Sequence, residues 1–141
     1  MKQFAIICAV LASLSTTALA NPAATQALNS LRTSKGMAPV TYSAKLEAAA
    51  KAHALDMAKH GYFAHEGRNG SSVGDRVKKQ RYKWCFVAEN IAKGQRDLRQ
   101  VMQGWANSPG HYANMTNRNA GSFGLFQGPD RIWVMVLAAP C

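Results

Sequence analysis

Trp105-Ala106-Asn107-Ser108-Pro109-Gly110-His111 is the stretch that most constrains this chain. A tryptophan closes an apolar helical pattern, a Ser-Pro-Gly run breaks it, and a histidine follows at the turn. Two shorter islands share that make-up: Tyr62-Phe63-Ala64-His65 and Ala88-Glu89-Asn90-Ile91. Each sets one chemically capable side chain among aromatic, apolar or turn-forming neighbours. The capable set is His65, Glu89 and His111. Neutral imidazoles bind zinc-like ions, a carboxylate adds charge, and the same groups can pass a proton. There is no His-Glu-x-x-His spacing, so only the fold can bring the three together.

Working outward, the first twenty residues read as a signal peptide. Lys2 is the positive start, residues 4–14 are an apolar run, and Ala18-Leu19-Ala20 is a small-x-small cleavage site. The run is too short to span a bilayer, and no later segment is long and apolar enough to do so. The expected domain is 21–141, one compact unit with one core. Removing Lys2 with the leader leaves 16 basic residues against 7 acidic, a formal charge of +9. Such a charge favours acidic partners. The densest basic stretch is Arg76-Val77-Lys78-Lys79-Gln80-Arg81-Tyr82-Lys83, which reads as a solvated helix face. No nucleic-acid motif accompanies it, so specific nucleic-acid binding is not expected. Removing Cys8 leaves Cys85 and Cys141. In an exported chain that pair reads as one disulfide closing a loop of about 55 residues, worth roughly 4 kcal/mol in the chain-entropy model. Two free thiols are the alternative, and export argues against them.

Periodicity predicts helices over 23–34, 43–60 and 97–105. Gly36, Gly61 and Ser108-Pro109-Gly110 mark their ends, and Ser43 and Asp97 are N-caps. The expected buried face of the second helix is Leu46, Ala49, Ala50, His53, Ala54 and Met57. A short helix is expected around 75–80, a strand over 82–92, one further turn near 112–117, and a closing hairpin of 122–127 and 132–138. Helices come first and strands last, without βαβ alternation. That is an α+β pattern, an antiparallel sheet between helices. Gly70-Ser71-Ser72-Val73-Gly74 matches a nucleophile elbow, but a Gly/Asn loop precedes it where a strand is needed, so Ser72 is rejected as a nucleophile.

Taken in order, the islands resemble the CAP superfamily (cysteine-rich secretory proteins, antigen 5, pathogenesis-related 1) in its short bacterial form. The resemblance rests on Leu28-Asn29-Ser30-Leu31-Arg32, residues 50–65 (AKAHALDMAKHGYFAH), Ala88 to Gly94, Trp105 to His111, Gly121 to Gly124 and Ile132-Trp133. It implies a three-layer α-β-α sandwich and a cleft lined by His65, Glu89 and His111, with Asn90 and Ser108 beside them. Many eukaryotic members carry a second glutamate where Ser108 stands, and their extra cysteines are absent here.

Three functions compete. The first is a secreted or periplasmic, monomeric module whose His65/Glu89/His111 cleft binds a divalent cation such as zinc. The resemblance also allows a lipid or small apolar ligand, without turnover and with no required cofactor. The second is a hydrolase of peptide or cell-wall material, with Glu89 as candidate base. Within the site, Glu89 can also sit behind a histidine and orient it. The third is a basic binder of acidic envelope polymers. His53 is expected to be a satisfied core histidine, and Trp84, Trp105 and Trp133 to be core.

Overall fold

The computed structural model describes residues 21–141; the expected leader lies outside the described residues. Asn21 caps α1 (Pro22–Ser34) by accepting from the Ala24 amide, and Pro22 suits the first turn. A two-residue strand β1 (Thr41–Tyr42) leads into α2 (Ala44–His60). The Ser43 side chain accepts from the Leu46 amide, and Gly61 ends α2 in the left-handed region at φ 66°. All six residues expected on the buried face of α2 are buried. Glu47 takes no part in a capping box; its carboxylate accepts from the Tyr42 hydroxyl at 2.6 Å.

The short helix α3 (Val73–Lys79) starts two residues earlier than expected because Ser72 and Asp75 form a reciprocal capping box. Ser72, the rejected nucleophile, is therefore an N-cap. After β2 (Trp84–Lys93), Asp97 caps α4 (Leu98–Ala106). The next helix, α5 (Pro109–Met115), departs from expectation. Pro109, expected to be a breaker, occupies the first helical turn, where its missing N–H is no loss. β3 (Ser122–Gln127), a 3-10 turn (Pro129–Arg131) and β4 (Ile132–Pro140) complete the chain.

The sheet order is β1-β3-β4-β2. β2/β4 and β3/β4 are antiparallel, and the added β1 pairs parallel with β3, so the sheet is antiparallel but for that two-residue edge. Period-two alternation in β4 builds two cores. Trp133, Met135 and Leu137 join α1, α4 and α5 with Leu28, Val101, Trp105 and Phe123. Ile132, Val134, Val136 and Ala138 join α2 and α3 with Leu46, Ala50, Met57 and Val77. The result is an α-β-α sandwich with helices on both faces. Cys85 and Cys141 form a disulfide with Cα atoms 4.8 Å apart, tying the last residue to the start of β2. Arg32 is buried in the first core and donates to the carbonyls of Ala38, Met115, Asn117 and Ala120. It fastens α1 to the segment after α5.

Candidate functional site

β2 is an edge strand, and its pleat sorts the polar pair Glu89-Asn90 to opposite faces. Glu89 points toward α2 and α3. Its Oε2 accepts from Arg76 Nη2 at 2.8 Å and its Oε1 from His65 Nδ1 at 2.8 Å, while His53 Nε2 lies 3.9 Å from Oε1. The Glu89 side chain is 2% exposed, so its charge is compensated by Arg76 inside the fold. Asn90 is fully buried on the other face, donates to the His111 carbonyl at 3.1 Å and accepts from Asn114 at 2.9 Å. It pins α5, and with it the His111 side chain, to the edge of the sheet.

Arg76, expected on a solvated basic face, is instead the centre of this arrangement. It is 8% exposed. Besides Glu89 it donates to the carbonyls of Ser71 and His65, at 2.8 and 2.9 Å, which fixes the backbone carrying His65. Burial and these three partners distinguish it from the exposed Lys78 and Lys79 beside it.

Both imidazoles are engaged through Nδ1. Because the ionised Glu89 carboxylate can only accept, His65 donates through Nδ1–H, which makes Nε2 the lone-pair nitrogen of the neutral ring. His111 shares a hydrogen bond between its Nδ1 and Ser108 Oγ at 2.9 Å. Neither Nε2 has a partner among the described residues. The Glu89 hydrogen bond raises the pKa of His65 above its usual value. Burial lowers that of His111, and the nearby charge of His65 lowers it further.

His53 is 1% exposed and donates Nε2–H to the Ala64 carbonyl at 2.8 Å, the structural role expected of it, although its Nδ1 has no partner. Burial pushes its pKa down. Beside His111 lies an apolar slot of about 290 Å³ walled by Phe63, Ile91, Val101 and Trp105. Phe63 is 45% exposed at its mouth. Trp105 and Trp133 are core, as expected, whereas Trp84 is half-buried under Lys78. Among the described residues, no group of three or more His, Cys, Asp or Glu side chains is arranged to hold a metal ion, and no helix is long and apolar enough to cross a membrane.

Residues 25–130 match the CAP family, described as the cysteine-rich secretory protein family. The chain is 33% identical over 97 residues to YkwD of Bacillus subtilis, described as an uncharacterized protein, covering 69% of this chain and 38% of that one. An extracellular protein containing an SCP domain from Bacillus anthracis superposes with a TM-score of 0.78 at 24% identity, over 83% of this chain and 39% of that one. An outer surface protein of Borrelia burgdorferi superposes at 0.77 and 21% identity, over 85% and 92%. The chain thus spans about two fifths of the length of YkwD and of the Bacillus anthracis protein.

Proposed function

The chain belongs to the CAP family, and from that premise we propose that it is an exported binding domain. Its two-histidine cleft takes an exchangeable divalent cation and turns nothing over. The observation that carries this reading is the matched use of the rings. His65 and His111 each engage a protein partner through Nδ1, Glu89 and Ser108 respectively, and keep Nε2 free. Imidazole nitrogens presented this way suit zinc-like ions, and a carboxylate behind a ligating histidine raises its basicity. Glu89 fits that orienting role better than the role of third ligand or general base, because Arg76 and His65 already occupy its oxygens. Two protein ligands leave the remaining positions to water or to a ligand group, so binding is weaker than at a closed structural site. The slot behind Phe63 suits a small apolar group rather than a long lipid tail.

A thermal melt with zinc tests the reading. At a hundredfold excess over Kd, zinc should stabilise the wild type by about 2.7 kcal/mol. The His65→Ala/His111→Ala variant should show no shift. An unshifted wild type at saturating zinc, or an equal shift in the variant, rejects it.

A further inference from the structure

A hollow of about 670 Å³ lies between α2 and α3, and its lining includes His53 and Arg76, which also contact Glu89. On α2 its wall includes Ala52, Asp56 and His60, and Lys45 continues the same stripe at spacings of seven and four. The opposite wall is α3, with Asp75 and Lys79. Arg81, left-handed at φ 58°, ends α3 and accepts at its carbonyl from Lys45 Nζ at 3.1 Å, which joins the two helices at one end of the groove. Arg68 closes the other end, with its Nη1 2.7 Å from His60 Nδ1.

The lining carries Arg68, Arg76 and Lys79 against Asp56 and Asp75, and Lys45 and Arg81 add two cations at one end. Lys45, Lys79, Arg81 and Arg68 are all exposed. Among the described residues, Arg76 is the only Lys or Arg within ion-pair distance of a carboxylate. The two acids of the groove already serve the protein. Asp56 accepts from the Tyr62 hydroxyl and the Arg68 amide, and Asp75 from the Ser72 amide and hydroxyl. In the floor, two buried nitrogens lack partners: Arg76 Nε, a donor, and His53 Nδ1, an acceptor in the neutral ring because Nε2–H is given to Ala64.

We propose that this groove binds an extended polyol-phosphate chain, whose phosphates meet the cations along the rim and whose hydroxyls match the polar floor. The rim asks for repeated negative charge; the acceptor nitrogen in the floor asks for a hydroxyl, which a bare polycarboxylate lacks. A lipid surface fits less well. Among the described residues the exposed large apolar side chains are Leu55 and Phe63, and neither lines the groove. The proposal does not rest on the imidazole pair, although Arg76 in the floor also holds Glu89 and the His65 carbonyl.

The test is a titration of residues 21–141 with synthetic poly(glycerol phosphate) at low salt. Polyglutamate and phosphatidylglycerol vesicles serve as parallel arms. Lys45→Glu/Lys79→Glu should weaken binding about tenfold or more and flatten its salt dependence, because neutralising contacts are lost. Arg99→Glu/Arg118→Glu, the same charge change at exposed positions outside the groove, should weaken it far less. His65→Ala/His111→Ala should leave it unchanged while removing any zinc effect, which separates this proposal from the cation reading. Equal losses in the two charge-reversal variants would reduce the effect to net charge and overturn the groove. Equal or tighter binding to polyglutamate or to the vesicles would overturn the assigned chemistry, and absence of binding at low salt would overturn both.

Discussion

Arg76 supplies the counter-charge to a glutamate buried on an edge strand and also clamps the carbonyl of His65. Removing one partner of a buried pair strands the other, at a cost of about 3–5 kcal/mol. Arg76→Gln should therefore lose that much in urea denaturation, and Arg76→Gln/Glu89→Gln should regain a large part. A single-variant loss under about 1 kcal/mol, the range of surface pairs, would sink the idea. At His65 the ring is 59% exposed, so its bond to Glu89 is worth under about 1 kcal/mol, but its pH signature is specific. Its folded pKa is raised, so the stabilisation is full below the unfolded value near 6.5 and fades as pH rises through the folded value. The wild type should exceed His65→Ala in stability most at acid pH, with the gap closing at higher pH. A gap that widens as pH rises contradicts the assignment. The sequence islands made His65, Glu89 and His111 legible as residue types in recurrent settings. Arg76 was not legible, because a basic run looks the same whether one member turns inward or none does.

At the scale of elements, α2 was readable almost to its ends because three independent signals agree: Ser43 as cap, a helical apolar period, and a left-handed Gly61. α5 was not, since Ser-Pro-Gly ends one helix and starts another, and only contacts with Asn90 settle which. β1 was missed because two residues carry no period; it is defined by its pairing with β3. The contact between β3 and α2 also hides in the sequence. A Cβ at Gly124 would run into the backbone of Leu46 and Glu47, so glycine lets the strand and the first turn of the helix approach closely. Gly124→Ala should cost about 3 kcal/mol or more, because backbone has to move on one side. A melting temperature equal to wild type would show that the approach is not tight.

Over the whole molecule, the sandwich places two different surfaces around one edge strand. Alternation along β2 sends Glu89 to the α2/α3 layer and Asn90 to the α4/α5 layer, so a single strand holds the His65 imidazole and the His111 backbone through different partners. The disulfide to Cys141 holds the start of that strand, as expected of the two cysteines that remain beyond the leader in an exported chain. The fold was more legible than the site because apolar periods are written locally. Bringing His65 and His111 together would depend on packing between layers, which no local pattern records. The most direct measurement is anomalous diffraction at the zinc edge from crystals of residues 21–141 grown with zinc. The account predicts one peak coordinated by Nε2 of both His65 and His111, with Glu89 still paired to Arg76. A peak bound to Glu89 or to other residues, or no peak in this cleft, would contradict it.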